Sequence, residues 1–294
     1  MKTYTEKARE IPVAAEVDVL VAGGGPAGFA AAYTAAKNGV SVLLLEQGGD
    51  VGGMSTIGLM SHWVGRADSK LYHEILRRSA DRNPGAYQGV QTRLINTEEL
   101  KTVYLEMLDE VHARLMLYTF VSDVITDNGA VTGLIVENKA GRQAILAKTV
   151  VDATGDGDVA ARAGAEFQLG RENDQKMQPM TLMFKVGGVD VENAALPGSF
   201  ESLVETEKGE LQALAKQLLP HPAGHVLLYE NVLPGIVTVN MTNVTGADGT
   251  DSGDLTKATV VCRKQIEKIV EFLREFVPGF ENCFLITSAS FMGV

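Results

Sequence analysis

Apolar and polar positions alternate with distinct periods along this chain, and each period predicts an element. Val17 to Val21 is a near-continuous apolar run of strand length, followed by glycines at 23, 24, 25 and 28. A small-residue stretch through Ala30, Ala31 and Ala32 comes next, and then a second apolar run, Val40 to Leu45, ending on Glu46 and Gln47. Short continuous apolar runs bounded by glycine predict strands buried on both faces. The small-residue segment between them predicts the crossover helix of a βαβ unit.

Beyond Gln47 the segment GGDVGGMSTIGLMSH reads as a glycine-rich loop around Gly52 and Gly53, and Ser69 to Ser79 reads as a helix. Asn96 with Glu99 forms a capping-box signature. Leu100, Val103, Tyr104, Met107, Leu108 and Val111 then recur at helical spacing. Met116 to Ile125, Val131 to Glu137 and Gln143 to Ala147, separated by Asn128-Gly129 and Lys139-Ala140-Gly141-Arg142, predict a β-meander. Thr149 to Asp152 predicts one more short strand, running into Ala153-Thr154-Gly155 and a helix over Val159 to Gly164. From about Glu166 the chain turns to long polar connections with strand candidates at Met180 to Val186 and Gly235 to Met241. Asp254 is placed to cap a last helix whose stripe is Cys262, Ile266, Ile269, Val270, Leu273 and Phe276, ended by Pro278-Gly279.

Composition narrows the class. The 294 residues, 45% hydrophobic and 21% charged, suffice for one large α/β domain or two ordinary ones. A net charge of −11 without a Lys/Arg run argues against nucleic-acid binding, which needs a basic face. No apolar segment is long enough to span a membrane. MKTYTEKAREIPV lacks the apolar stretch of a secretory signal. The expected location is therefore cytoplasmic. Cys262 and Cys283 fit no metal spacing and no disulfide framework.

The first motif carries the chemistry. Gly23, Gly25 and Gly28 fit G-x-G-x-x-G: one glycine for the tight turn, one for close approach of a pyrophosphate, one for helix-on-strand packing. The helix that follows aims unpaired N–H groups and a positive dipole end at the phosphates. Glu46, ending the second strand, stands where a carboxylate accepts from ribose hydroxyls and repels a 2′-phosphate. Alone, the triplet also describes a ligand-free tight turn; the strand before it, the helix after it and the acid favour a dinucleotide. A nicotinamide-binding half would soon reach a third parallel strand. Here the next good strand, from Met116, comes late and opens a meander.

Those features together resemble the FAD-dependent oxidoreductases related to the fumarate reductase and succinate dehydrogenase flavoproteins, within the glutathione-reductase type of FAD fold. Four stretches carry the resemblance: VDVLVAGGGPAGFAAAYTAAKNGVSVLLLEQ, VGGMSTIG, VVDATGDGDVAARAGAEF and QPMTLMFKVGGVD, with a fainter echo from Val244 to the end. The resemblance implies an α/β, FAD/NAD(P)-binding Rossmann-like three-layer fold with a β-meander, plus an inserted α+β substrate or cap domain. The implied boundaries are 1–165 for the FAD-binding domain, 166–287 for the substrate domain and 288–294 for the start of a return to the first. It further implies FAD as cofactor. Gly25, Pro26 and Ala27 would lie at the pyrophosphate and Glu46 at the adenosine ribose, with Gly23, Gly28 and Gln47 also in the cofactor-binding set. Gly53, Met54 and Ser55 would lie along the middle of the cofactor, the Val121 backbone at the adenine, and Ala153, Thr154 and Gly155 beneath it. In that family an Arg-rich motif and a late glycine strand follow a segment like SASFMGV, so the end at Val294 reads as that of a fragment, or of a truncated product with impaired flavin binding.

The implied activity is hydride transfer between a small organic substrate and the flavin, with an electron partner left open. The alternatives are a non-catalytic truncated flavoprotein and an NAD-binding dehydrogenase. A flavin carries the redox chemistry, so the residues sought are acids, bases and anchors rather than a nucleophile. His62 is the catalytic candidate, set against an ordinary packing role. His221 and His225 flank Pro and Gly, which breaks helical metal-ligand geometry, and no metal site is expected. Asp156 and Asp158 read as helix-capping acids, and Asn240, Thr242 and Asn243 as candidate pocket-lining residues.

Overall fold

Strand β1 (Val13–Ala22), helix α1 (Pro26–Lys37) and strand β2 (Val42–Leu45) form the βαβ unit that the apolar runs demand. The computed structural model describes residues 2–64, 69–81 and 94–294. In it the two strands pair in parallel, from Val19 opposite Val42 to Ala22 opposite Leu45. Helix α2 (Lys70–Asp81) matches the predicted segment, and Asn96 Oδ1 accepts from Glu98 N–H (3.1 Å) at the start of α3 (Thr97–Glu110). Two compact units are distinguished: Met1–Val51 with Glu106–Glu166, and Gly52–Leu105 with Phe167–Val294. The sequence predicts residues 52–105 in the first domain; the described residues among them cluster with the second unit.

In the first unit the segment expected as one strand from Met116 to Ile125 is two, β3 (Arg114–Met116) and β4 (Phe120–Asp127). Tyr118 between them has φ +52°, which breaks an extended run. Strand β3 adds to β2 in parallel, supplying the third parallel strand that the sequence reading did not find. β5 (Ala130–Asn138) follows. The two short strands expected at Gln143 to Ala147 and Thr149 to Asp152 are one strand, β6 (Gly141–Asp152). Its first half pairs antiparallel with β5, and Ala144 to Asp152 pairs in parallel with β1.

The six-stranded order β3-β2-β1-β6-β5-β4 puts β3 and β4 at opposite edges, yet residues 117–119 alone join them. Four Cα steps reach about 15 Å at most. Six flat strands would separate their edges by about 24 Å. The sheet must therefore fold back, with β6 as the shared strand, and the meander lies over the parallel part. The core agrees: Leu43 and Leu45 of β2 cluster with Val121, Leu134, Val136 and Ile145 of the meander. Phe29, Ala32 and Tyr33 are the buried side of α1. A short helix, α4 (Asp158–Arg162), ends the unit.

The second unit is built on an antiparallel sheet ordered β10-β11-β7-β12. Its chain order is β7 (Phe184–Gly187), the hairpin β8 (Glu205–Thr206) and β9 (Gly209–Glu210), α5 (Leu211–Leu218), β10 (Leu228–Glu230), β11 (Val237–Val239), α6 (Ser252–Phe276) and β12 (Phe284–Ser288). Phe184, Val186, Val237 and Val239 pack with Cys262, Ile266, Ile269 and Leu273 of α6, the stripe the sequence predicts. Two predicted strands are shorter than expected because Thr242 substitutes for a ladder. Its Oγ1 accepts from Leu182 N–H (2.7 Å) and donates to Leu182 O (3.0 Å). The cap of α6 is Asp251, not Asp254: Asp251 Oδ1 accepts from Asp254 N–H (2.8 Å). Ser288, read as the start of a return to the first domain, pairs with Phe184 in this sheet.

Candidate functional site

The glycine turn closes by backbone contact that no side chain would permit. Gly23 has φ +95°, and a Cβ there would stand 2.2 Å from Ala153 O; one on Gly28 would stand 1.8 Å from Gly23 O. The ends of β1 and β6 and the first turn of α1 thus meet at van der Waals distance, with Ala153 N–H donating to Ala22 O (2.8 Å). Gly25 differs. Its φ of −66° and ψ of −177° suit any residue, and nothing lies within 4 Å of the place its Cβ would take. As N-cap of α1 it offers no side-chain hydrogen bond, Pro26 follows at the first helical position, and Pro26 and Ala27 are exposed. The opening amides of α1 therefore face open space with their dipole end unneutralised, which is the geometry of an anion cradle.

Glu46 is fixed beside this turn. It is 7% exposed, and its two carboxylate oxygens each accept one backbone N–H, Gly24 at 2.8 Å and Gly48 at 2.6 Å. Each oxygen retains capacity for a further donor. Gly24 falls on an unspecified position of the G-x-G-x-x-G pattern. A Cβ there would stand 2.9 Å from Glu46 Oε2, so the middle glycine of the three leaves room for the acid. The backbone of Glu46 is clamped in turn, donating to Met116 O (3.0 Å) and accepting from Thr119 N–H (2.9 Å). Tyr118 donates its N–H to Gly48 O (3.0 Å), and its ring lies on Gly49. Gln47 is exposed. Val121 is buried on edge strand β4 at an irregularity of its pairing with β5.

Ala153, Thr154 and Gly155 continue β6 past the same turn. Gly155 has φ +101° and open space around it. The organiser here is Asp152, which the sequence reading passed over. Oδ1 accepts from Thr154 N–H (3.1 Å) and Thr154 Oγ1 (2.7 Å), and Oδ2 accepts from Ala160 N–H (2.8 Å). Burial opposes ionisation of Asp152, but the hydrogen bonds from Ala160 and Thr154 outweigh it and hold its carboxyl below the ordinary value. The capping expected of Asp156 or Asp158 falls to other groups. Gly157 is the N-cap of α4 without a side-chain bond, and Asp158 pairs with Arg162 (3.0 Å). The structure thus brings together Gly23, Gly24, Gly28, Glu46 and Ala153 in one unit.

The other sequence-predicted residues belong to the second unit. Gly52 has φ +110°, and Gly53, Met54 and Ser55 make a single 3-10 turn after it. Ser55 is buried and its Oγ donates to Gly52 O (2.7 Å). It also lies 3.3 Å from Tyr104 Oη, whose hydroxyl burial pushes up to about 12. His62 stacks on the ring of Tyr229, centroids 5.4 Å apart and 8° from parallel. Asn240 Oδ1 accepts from Thr181 Oγ1 (2.7 Å), and the Asn243 backbone bonds the Gln265 side chain. These contacts engage Asn240 and Thr242 through their side chains and Asn243 through its backbone, while the buried Asn243 Oδ1 finds no donor among the described residues. Among the described residues there is no group of three or more His, Cys, Asp or Glu able to hold a metal, and no helix long and apolar enough to cross a membrane. Cys262 and Cys283 are separate buried thiols.

Comparison with known proteins agrees with this geometry. The chain is 32% identical over 178 residues to a thiamine thiazole synthase of Aeropyrum pernix, covering 55% of this chain and 63% of the relative. It is 27% identical over 200 residues to digeranylgeranylglycerophospholipid reductase 2 of Methanopyrus kandleri, covering 61% and 47%. It therefore spans about half to two thirds of the length of these curated relatives. Among solved structures, a geranylgeranyl bacteriochlorophyll reductase-like protein of Thermoplasma acidophilum superposes with a TM-score of 0.57 at 18% identity, over 94% of this chain and 66% of that one. The p-nitrophenol 4-monooxygenase of Pseudomonas putida does so at 0.56 and 16%, over 93% and 67%. At such identities the shared property is the fold. The uncapped end of α1, the empty space at Gly25 and the oriented Glu46 carboxylate fit the phosphates and ribose of FAD. Residues 18–294 match the family described as FAD dependent oxidoreductase, and the chain belongs to that family.

Proposed function

We propose that this protein binds FAD through the glycine turn of its first unit and uses it to oxidise or reduce a small organic substrate. The observation that carries the reading is the open, uncapped start of α1 at Gly25, flanked by the buried Glu46 carboxylate. The amides of Ala27 and Gly28 would take the pyrophosphate, Glu46 the ribose hydroxyls, and the backbone of Ala153 to Gly155 the underside of the cofactor. Gly53 to Ser55 and the Val121 backbone complete the proposed set. FAD supplies the hydride chemistry when bound. The chain's own residues bind and orient it, and the second unit supplies the substrate contacts, His62 among them. A kinship with fumarate reductase and succinate dehydrogenase flavoproteins is part of the proposal and rests on the four sequence stretches quoted above.

The test uses Gly25, where a side chain meets no protein atom and the backbone is unstrained. Gly25→Leu is expected to keep the thermal midpoint within a few degrees and to lose FAD binding at least a hundredfold, read by flavin fluorescence titration. Wild-type protein that leaves added FAD unquenched, or a leucine variant that binds like wild type, would overturn the reading.

A further inference from the structure

The second unit holds a buried cation without a counter-ion. Lys185 sits in the middle of β7 and is 8% exposed. Its Nζ donates to Thr97 Oγ1 (2.6 Å), and among the described residues it forms no ion pair. An ammonium carries three donors, so two are left for something else. Thr97 is moreover the first residue of α3, a helix of 14 residues, so the amine points at a positive dipole end. Two positive poles converge where a helix start ordinarily attracts an acid. The nearby carboxylate, Glu98, is engaged by Lys101 (3.0 Å). Burial pushes the Lys185 amine below its ordinary value, with Glu98 holding it up and Lys101 pressing it down.

On its own face of the sheet the neighbours of Lys185 are polar and uncharged. Tyr229, Thr238 and Lys185 are direct cross-strand neighbours on β10, β11 and β7, so their side chains share the face of the sheet opposite Phe184 and Val186. Thr238 Oγ1 lies 2.6 Å from Ser61 Oγ, and His62 stacks on Tyr229. The row runs from a half-buried aromatic pair to a buried amine. In the same loop, the buried Trp63 Nε1 finds no acceptor among the described residues. A face that offers donors, one positive charge and a flat aromatic pair is short of an acceptor with one negative charge.

We propose that Lys185, with the start of α3, anchors the carboxylate of a small monocarboxylic ligand, and that this face of the β10-β11-β7 sheet is the substrate-recognition surface. A single cation balances a monoanion and leaves a phosphate dianion under-compensated, which selects the carboxylate. The inference rests on the flavoenzyme reading for calling that ligand a substrate.

Acetate and benzoate, each compared with its neutral amide at constant ionic strength, test it on FAD-treated protein by calorimetric titration and thermal shift. The wild type is expected to bind each carboxylate at least tenfold more tightly than the amide. Lys185→Met is expected to erase that preference while keeping its FAD content, and Lys185→Arg to retain part of it. Lys185→Gln, which keeps a donor without the charge, serves the same comparison if the methionine variant does not fold. Equal binding of acid and amide by the wild type, no carboxylate effect at all, or an undiminished preference in the methionine and glutamine variants overturns the proposal. Flavin content is measured in the same samples. FAD binding without carboxylate selectivity defeats this inference alone, whereas absence of FAD binding defeats the proposed function.

Discussion

Gly25 and Gly28 stand in one motif and respond to substitution in opposite ways. At Gly28 an added methyl group would lie 1.8 Å from Gly23 O, a backbone atom that cannot move without opening the turn. Overpacking of this kind costs about 1–3 kcal/mol, and more where backbone must shift. Gly28→Ala is therefore expected to lower the urea midpoint by at least that equivalent, with no change in slope. Gly25→Ala, unstrained and unhindered, is expected to cost only the difference between glycine and alanine as an N-cap, about 0.5–1 kcal/mol. Equal losses in the two variants would show that the turn is not closed by this contact. The distances separate the glycine that builds the turn from the one that leaves room beside it. Lys185 is hidden in the sequence for a related reason. In TLMFKVGG a lone lysine reads as a solvent-facing strand position, and its burial depends on which face residues 61–62 and 94–97 cover.

At the scale of elements, the short helix α4 depends on Asp152 eight residues before Ala160. An asparagine there keeps one acceptor for Thr154 but turns an amide N–H toward Ala160 N–H. Asp152→Asn is expected to cost about 1–2 kcal/mol at pH 7. The pH dependence follows from linkage. The folded carboxyl lies below its ordinary value, so the native state holds fewer protons than the unfolded state in that interval. Its stabilising effect is complete above about pH 4 and fades as pH falls through the lowered folded value. Denaturation at stepped pH should therefore show the gap between wild type and Asp152→Asn narrowing below about pH 4; a constant gap would contradict the assignment. Capping by Asp152 was illegible because nearby Asp156 and Asp158 fit the local pattern better, while the actual acceptor lies back in a strand. The strands β3 and β4 were illegible for another reason. Their break falls at Tyr118, a residue type that sequence rules associate with extended chain rather than with φ +52°. By contrast β1, α1, β2 and the stripe of α6 were readable, since each is set by local period and by turn glycines.

Among the described residues one hydrophobic core lies under the folded-back sheet of the first unit and another between α6 and the antiparallel sheet of the second. The proposed phosphate and ribose contacts belong to the first. A ligand that binds only the native form stabilises it by about 2.7 kcal/mol at a hundredfold excess over its dissociation constant. That energy appears in amides whose opening disrupts the bound site, because cooperative units open separately. Saturating FAD should thus slow hydrogen exchange about a hundredfold in the ends of β1, β2 and β6 and the first turn of α1. The central amides of α6, held by Cys262, Ile266, Ile269 and Leu273 in the other core, should change far less. Uniform slowing of both sets would mean that the two cores open as one cooperative body, and slowing confined to α6 would place the cofactor away from the glycine turn.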